Sequence, residues 1–307
     1  MLVLLDTASL YYRAYYAMPE SLTAPDGHPN NMLRGFLTSL TKMCRQLEPS
    51  SLAACWDDDW RPQWRVDALP SYKTHRLADE GDGIEGAEDV PDTLSPQIDA
   101  LARILDAAGI ARPGALGYEA DDIIATLAAD HAGPVMVVTG DRDMVQLVSE
   151  RVAVLLTVNG GMEKWPLLTP ELATERFGVD PGSYVDFAAL RGDASDGIPG
   201  IPGIGPKTAA TLINHFGSLD AVLSTASSGD TSKPLTPRLA GLLVEHADQA
   251  RMARLVSTAA VDAPVTDIST ALPSKPQDAA ALHAVLSEWG VERQFADLAK
   301  QLGIRQS

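Results

Sequence analysis

Residues 117–143 read GYEADDIIATLAADHAGPVMVVTGDRD, and this stretch decides the fold and points to the chemistry. The apolar pattern after position 122 predicts an amphipathic helix, and the run at residues 135–138 predicts a strand buried on both faces. Five carboxylates flank these two elements: Glu119, Asp121, Asp122, Asp141 and Asp143. Because like charges repel when they are held together, this cluster indicates a site that binds cations.

Two further apolar runs have the same design, since residues 2–5 end in Asp6 and residues 52–56 end in Asp57. Helical patterns lie between the runs, so the chain predicts an α/β fold with a doubly wound, mostly parallel sheet. The carboxyl ends of parallel strands share one edge, where we expect Asp6, Asp57 and Asp141 to converge. A single aspartate after a strand is usually a helix cap. Three such strands together with Glu-x-Asp-Asp favour a ligand site.

Composition limits the classes of protein that the chain can belong to. With 24 basic and 41 acidic residues, the net charge of −17 argues against nucleic acid as a partner. The excess is local, however, because residues 79–92 hold seven acidic residues and no basic one, which is typical of a mobile, solvated loop. No apolar run approaches the roughly 20 residues of a membrane span. Cys44 and Cys55 lack a metal-binding spacing, so a reducing, cytoplasmic location is expected.

Residues 60–76 interleave aromatic and basic side chains and lead directly into the acidic loop. We interpret residues 60–92 as a long insertion that rises from the second strand. A plain surface helix with solvated charges explains the composition equally well, so the residues alone leave both interpretations open.

A glycine-rich segment follows, and residues 191–209 read RGDASDGIPGIPGIGPKTA. Asp193 and Asp196 precede a hairpin whose glycines let backbone amides and a helix N-terminus approach a phosphate closely. Lys207 adds positive charge. Contacts of this kind read no base edges, so binding would be independent of sequence. The segment also satisfies the simpler interpretation, a tight turn that joins two packed helices.

Six motifs in this order make the chain resemble a known family. They are Asp6 with Tyr12-Arg13, Trp56-Asp57, Tyr72-Lys73-Thr-His-Arg76, Gly-Tyr-Glu119-Ala-Asp121-Asp122, Gly-Asp141-Arg-Asp143, and the Asp193 to Thr208 hairpin. Together they resemble the bacterial flap endonuclease and 5'-3' exonuclease family of the PIN-like superfamily. The chain looks like a stand-alone relative, or an excised copy, of the nuclease domain that often precedes DNA polymerase I.

The resemblance implies an architecture. We expect a PIN-like nuclease core over residues 1–170, with a helical arch at about 60–92. A helix-two-turn-helix module, which is helix-hairpin-helix-like and binds DNA, would span residues 171–260. Residues 261–307 would form a C-terminal segment that packs back on the core.

The resemblance also implies an activity, namely structure-specific, divalent-metal-dependent cleavage of DNA at junctions of single strand and duplex. The enzyme would be a 5' flap endonuclease and 5'-3' exonuclease of replication and repair. Its substrate would be branched or nicked DNA with a 5' single strand, or an RNA–DNA hybrid. It would act as a monomer at the nucleoid, alongside a DNA polymerase and a ligase. No association with a membrane is expected. The alternatives are an RNA-directed 5' nuclease of the same fold and a non-catalytic junction-binding protein.

Site residues follow by motif match, with two or three Mg²⁺ or Mn²⁺ ions as cofactors. One ion would be held by Asp6, Asp57, Glu119 and Asp121, and a second by Asp141, Asp143, Asp193 and Asp196, with Asp121 or Asp122 between them. Lys73, Arg76, Asp121 and Asp143 are the expected catalytic residues. The expected DNA contacts are Tyr12, Arg13, Gly203, Gly205, Lys207 and Thr208, and the carbonyls of Ile201 and Ile204 would hold a potassium ion.

Two positions depart from the family pattern. The family usually has asparagine after the second aspartate of the hairpin, where this chain has Gly197. Asp58 follows Asp57 directly and could compete with it as a ligand.

Overall fold

A five-stranded sheet forms the centre of the protein. The structure is a computed structural model and describes residues 1–77, 88–265 and 268–305. Its strands are β1 (Leu2–Asp6), β2 (Ser51–Cys55), β3 (Val135–Thr139), β4 (Val152–Leu156) and β5 (Leu167–Leu168). Their order across the sheet is β2-β1-β3-β4-β5. The first four strands are parallel, and β5 pairs antiparallel with β4 at one edge. The mostly parallel sheet expected from the apolar runs is confirmed.

The strand order places a switch point between β1 and β3. From β1 the chain moves to β2 on one side, and it then returns to β3 on the other side. In open parallel sheets, connections leave such a point in opposite directions and open a crevice at the carboxyl ends of the strands. Asp6 ends β1 and Asp141 follows β3, so both lie at this crevice.

Helices cover both faces of the sheet. They are α1 (Thr7–Ala17), α2 (Asn31–Leu47), α3 (Gln63–Ala68), α4 (Ser95–Ala108), α5 (Ala120–Asp130), α6 (Pro170–Phe177), α7 (Tyr184–Arg191), α8 (Pro206–Phe216), α9 (Leu219–Ser227), α10 (Pro237–Glu245), α11 (Ala247–Ser257), α12 (Ala279–Trp289) and α13 (Glu292–Leu302). Val3 and Leu5 of β1 pack with α1, α2, α4, α12 and α13. Leu2 and Leu4 point the other way, into a second core cluster that continues through α5 to α11. This alternation along one strand produces the doubly wound arrangement.

The C-terminal helices lie against the N-terminal half of the chain. Helix α13 packs on α2, and α12 packs on α4. Phe295 of α13 is fully buried in this contact. Helices α12 and α13 therefore lie beside α4 and α2, and the expected division of the chain at residues 170 and 260 stays a prediction.

Residues 60–92 are described only in part. Helix α3 and a 3₁₀ turn at Thr74–Arg76 follow β2 in the chain. Leu77 and Glu88, which flank residues 78–87, form an antiparallel bridge. Residues 78–87, which hold the middle of the expected arch and most of the acidic loop, lie outside the described residues.

A search of the described helices finds none with the length and apolar character needed to cross a membrane.

Candidate metal centre

A cavity of about 490 Å³ opens at the carboxyl edge of the sheet, where the strand-end aspartates meet. Five of the nine predicted metal ligands line it: Asp6, Asp57, Glu119, Asp121 and Asp141. The lining also includes both expected catalytic basic residues, Lys73 and Arg76, and the expected DNA contact Tyr12. Carboxylates that follow three strands and open one helix therefore share a single cavity with the two expected catalytic side chains, Lys73 and Arg76.

Thr139, at the end of β3, sets the positions of two of these carboxylates. Its hydroxyl donates to Asp6 Oδ2 over 2.6 Å and accepts from the backbone N–H of Asp141 over 2.8 Å. Asp6 is fixed further because its Oδ1 accepts from the N–H of Ser9 and caps α1. Both oxygens of Asp6 thus have local partners that orient the carboxylate without neutralising its charge.

The N-terminus of α5 receives a third carboxylate. The backbone N–H of Ala120 donates to Asp57 Oδ1 over 2.7 Å, and the positive end of the helix dipole favours negative charge at this position. The neighbouring Asp58 lies instead beside Gly114. Asp57 is therefore the cavity-facing member of the pair, as the motif suggested.

Basic side chains accompany the remaining carboxylates. Lys73 Nζ donates to Glu119 Oε2 over 2.7 Å, and Arg76 Nη2 donates to Asp196 Oδ1 over 2.8 Å. Asp193 contacts Arg191 at 3.0 Å and Arg142 at 3.4 Å. Asp122 is bonded to Arg65, is fully buried and does not line the cavity.

The backbone at Lys73 is unusual and is tied to the hairpin. Lys73 has φ 49°, in the left-handed region that side chains other than asparagine and glycine seldom adopt. Its N–H donates to the carbonyl of Asp196 over 2.9 Å, and Ser71 Oγ donates to the carbonyl of Gly197 over 2.8 Å. The Lys73 motif and the second hairpin aspartate are consequently held together through backbone contacts.

Burial and mutual repulsion determine the protonation of the crowded acids. Burial, followed by repulsion from Asp57, raises the pKa of Asp6 to about 7. Burial and then Asp196 raise the pKa of Asp141 to about 6. Asp121 and Asp143 also have a raised pKa through burial, with Asp141 as the next cause for both. The cavity thus favours a form with fewer negative charges unless cations compensate for them.

The residues fit a divalent cation in their chemistry. Among the described atoms, Asp143 Oδ1 is buried without a hydrogen-bond partner, as a carboxylate oxygen reserved for an ion would be. Oxygen ligands without histidine or thiolate suit Mg²⁺ or Mn²⁺. Within residues 1–77, 88–265 and 268–305, no three acidic, histidine or cysteine side chains lie close enough together to hold an ion as they stand.

The expected DNA contacts divide into two groups. Tyr12 lines the cavity, whereas Arg13 donates to the carbonyls of Val158 and Gly160 and lies over the ring of Trp165. In the hairpin, Gly205 caps α8, and Lys207 is exposed in its first turn. Gly203 and Thr208 line a separate groove of about 350 Å³ with Arg238 of α10.

The predicted potassium ligands lie in a tight turn of the same hairpin. The N–H of Ile204 donates to the carbonyl of Ile201 over 3.0 Å, and Gly203 between them has φ 80°. Both isoleucine side chains are buried, so the turn is anchored in the core.

Two cavity residues, and one residue that orients two of the cavity carboxylates, were not found from the sequence. Glu88 lines the cavity, although its place in an acidic run suggested a solvated loop. Arg142 also lines the cavity. It lies between the predicted ligands Asp141 and Asp143 in the sequence, and this position could have predicted its place in the site. Thr139 gave no signal, since a threonine at the end of a strand is ordinary.

A close backbone contact explains why this chain has Gly197 where the family pattern has asparagine. A Cβ atom at this position would lie 2.3 Å from the carbonyl oxygen of Ser71, which is backbone and cannot move away alone. We expect Gly197→Asn to lower the free energy of unfolding by about 1–3 kcal/mol, as overpacking does. Gly203→Asn is the matched control, because φ is positive there too but no atom lies within 4 Å of the added Cβ. Equal urea midpoints for the two variants would contradict this explanation.

The raised pKa of Asp6 predicts how the stability of the metal-free protein depends on pH. Because the folded state favours the protonated acid, Asp6 contributes to the free energy of unfolding below about pH 4. This stabilising contribution is lost as the pH rises through about 7. Asp6→Asn removes the charge and should stabilise the metal-free protein at pH 8 by on the order of 2–4 kcal/mol. The gain should shrink toward pH 5. Thermal unfolding in a chelator at both pH values measures it, and a gain independent of pH would show that repulsion is not the cause.

Comparison with known proteins places the chain in a family. The family model described as the 5'-3' exonuclease N-terminal resolvase-like domain matches residues 1–178, and the 5'-3' exonuclease C-terminal SAM fold matches residues 179–280. A 5'-3' exonuclease of Streptomyces coelicolor is 48% identical over 94% of this chain and 96% of its own length. One from Mycobacterium tuberculosis is 43% identical over 98% of this chain and 97% of its own. A DNA polymerase I of Mycobacterium bovis is 40% identical over 79% of this chain, which spans 26% of that polymerase.

Solved structures share the fold at lower identity. The D15 protein of bacteriophage T5, co-crystallised with metal ions, aligns with a TM-score of 0.64 at 17% identity, over 98% of this chain and 99% of its own. The catalytic core of Rad2 in complex with DNA aligns with a TM-score of 0.60 at 15% identity, over 98% of this chain and 92% of its own. The resemblance seen in the motifs is confirmed: the chain belongs to the 5'-3' exonuclease family and is a nuclease of that family.

Proposed function

We propose that this nuclease is a structure-specific, divalent-metal-dependent enzyme that hydrolyses DNA phosphodiesters where a 5' single strand meets duplex. It acts as a 5' flap endonuclease and a 5'-3' exonuclease. The observation that carries the proposal is that one cavity holds six carboxylates, five of them predicted metal ligands, together with Lys73 and Arg76, beside the hairpin that contains Asp193 and Asp196. A T5 flap endonuclease variant was crystallised with DNA and metal ions, and it has the same fold.

The carboxylates divide into two sets that could each hold an ion. Asp6, Asp57, Glu119 and Asp121 form the set on β1, β2 and the start of α5. Asp141, Asp143, Asp193 and Asp196 form the set between β3 and the hairpin. A pair of Mg²⁺ or Mn²⁺ ions held there supplies an activated water and neutralises charge on the phosphate and the leaving oxygen.

Lys73 and Arg76 provide the charge that the protein itself directs at the substrate. Burial alone would lower the pKa of Lys73, but the attraction of Glu119 outweighs it, so the pKa is raised and the amine stays protonated. Arg76 is likewise kept charged beside Asp196. Because both groups line the cavity, a phosphate oxygen there can accept from them in place of the carboxylates and have its developing charge stabilised.

The hairpin and the helices around it would hold the duplex arm. Gly203, Gly205 and Thr208 leave the start of α8 open to a phosphate, and the exposed Lys207 adds attraction. The carbonyls of Ile201 and Ile204 are the proposed ligands of a potassium ion that bridges to that phosphate. Such contacts read the backbone and not the bases.

The biological setting follows from this chemistry. A 5' nuclease of this kind removes flaps or RNA primers in replication and repair, which leaves a nick after a DNA polymerase has filled the gap and before a ligase seals it. We place the enzyme in the cytoplasm at the nucleoid, as a monomer. An RNA-directed nuclease is the remaining alternative, and comparing RNA and DNA flaps at one salt concentration separates the two.

The direct test is a 5'-labelled flap incubated with Mg²⁺. The wild type should release the flap, and Asp121→Ala should lower the rate by roughly 10³-fold or more, since it removes an acid from the centre of the cavity. Asp248→Ala is the matched control, because its side chain is almost fully exposed on α11, and it should cleave at the wild-type rate. An intact flap with the wild type would refute the proposed activity.

Lys73 and Arg76 can be separated from residues that only bind DNA. We expect Arg76→Ala and Lys73→Ala to lower kcat by about 10²–10³-fold with a smaller change in DNA affinity. Lys207→Ala should do the reverse and raise Kd with little effect on kcat at saturation, because it lies in the duplex-binding hairpin. Single-turnover rates and Kd values measured in Ca²⁺ distinguish the two patterns. Parallel losses in both quantities at Arg76 would make it a binding residue.

A further inference from the structure

Arg65 is a buried arginine outside the cavity lining. It lies on α3, is 2% exposed, and forms a two-pronged ion pair with Asp122 through Nη1 to Oδ2 at 2.8 Å and Nη2 to Oδ1 at 2.7 Å. Its guanidinium also lies 4.4 Å from the ring centre of Trp64. A buried charge needs close partners of this kind, and the planar guanidinium satisfies both carboxylate oxygens at once.

Asp122 has no capacity left for a metal ion. Besides the two bonds from Arg65, its Oδ1 accepts from the N–H of Ala260 over 2.8 Å, and its Oδ2 accepts from the N–H of Glu119 over 3.0 Å. A carboxylate offers about four lone-pair positions, and four donors fill them. The expectation that Asp122 binds metal, directly or through water, therefore does not suit its surroundings.

The same pair connects three parts of the chain. Arg65 Nε donates to the carbonyl of Val256 at the end of α11 over 3.0 Å, and Nη1 lies 3.5 Å from Glu119 Oε2. Helix α11 is the last helix of the segment proposed to hold duplex DNA. Arg65 thus touches the insertion after β2, on which it lies, together with the carboxylate helix α5 and the end of the duplex-binding segment.

We propose that Arg65 is a positioning residue that, through Asp122, sets the place of Glu119 in the metal centre and links that place to α11. This inference rests on the proposed metal-dependent activity. Both the backbone N–H and the side chain of Glu119 are held by the pair, so a shift of Arg65 moves a cavity carboxylate. Partners of metal ligands typically change metal affinity or activity by about 10–100-fold when they are replaced.

Lysine cannot substitute for Arg65 here. An ammonium group keeps the charge but lacks the fork of N–H donors that engages both oxygens of Asp122 together with the carbonyl of Val256. Arg65→Lys therefore perturbs position while leaving the buried charge balance intact. Arg103→Lys is the matched control, because Arg103 is on α4, outside the segment proposed to hold DNA, pairs with Glu288 at 3.0 Å, and has an exposed side chain away from the cavity.

The experiment measures metal affinity and catalysis separately. Mn²⁺ is titrated into the protein without DNA and followed by calorimetry, while kcat and KM are measured on the flap and Kd for DNA in Ca²⁺. We expect Arg65→Lys to weaken Mn²⁺ binding and lower kcat by about 10–100-fold each, with Kd for DNA within about twofold of the wild type. Arg103→Lys should match the wild type in all four measurements.

Asp122→Asn provides the second, independent variant. If Arg65 acts through Asp122, the double variant should lose no more Mn²⁺ affinity than the worse single variant, whereas independent roles would give additive losses and overturn the proposal. Unchanged Mn²⁺ affinity in a folded Arg65→Lys, or equal losses of DNA binding and kcat, would also overturn it. If thermal unfolding shows that Arg65→Lys is not folded, the Mn²⁺ affinity of Asp122→Asn tests the proposal alone. A loss of about 10–100-fold supports it, and an unchanged affinity overturns it.

The two proposals can fail separately. A wild-type protein that binds Mn²⁺ but leaves every 5' substrate intact would refute the nuclease specificity, while the titrations would still test Arg65. A cleaving wild type with an unaffected Arg65→Lys would refute only the positioning role.

Discussion

Mutual repulsion among carboxylates is the constraint on which the rest of this structure depends. Parallel strands bring their carboxyl ends to one edge, and here Asp6, Asp57 and Asp141 meet there with two acids from the start of α5. Water screens these charges poorly, because Asp6 and Glu119 are buried and the other three acids are half-buried. The surrounding structure therefore supplies positive charge and oriented donors: the N-terminus of α5 for Asp57, Thr139 for Asp6, and Lys73 for Glu119.

Arginines and lysines distribute this compensation unevenly, and the distribution gives each acid its character. Asp122 has every acceptor position filled, so it acts as part of the framework. Asp143 keeps a buried oxygen without a partner among the described atoms, so it remains available. Glu119 and Asp196 lie between these cases, because each accepts a hydrogen bond from one basic side chain at the cavity wall, although Glu119 also lies 3.5 Å from Arg65. Acids of one motif can therefore differ in role although they look alike in sequence.

The sequence predicted the sheet and most of the cavity for a clear physical reason. An apolar run followed by an acid is a local signal, and parallel pairing converts three local signals into one site. Residues such as Thr139, Arg65 and Glu88 could not be predicted in this way. Their importance depends on contacts across long sequence separations, as between Arg65 and Val256, and no local pattern distinguishes them from surface residues. The position of Asp122 in the Glu-x-Asp-Asp motif was visible, but the four donors around it were not.

Lys73 illustrates a conflict between folding and chemistry at a single position. Its left-handed backbone would be adopted more readily by glycine or asparagine, so selection for stability alone would replace it. Either replacement would remove the amine that faces the cavity. The chain retains a residue that is locally unfavourable and secures it with a hydrogen bond from its N–H to the Asp196 carbonyl. Efforts to make this enzyme more heat-resistant by choosing residues suited to the backbone would thus be drawn to the site where activity is most easily lost.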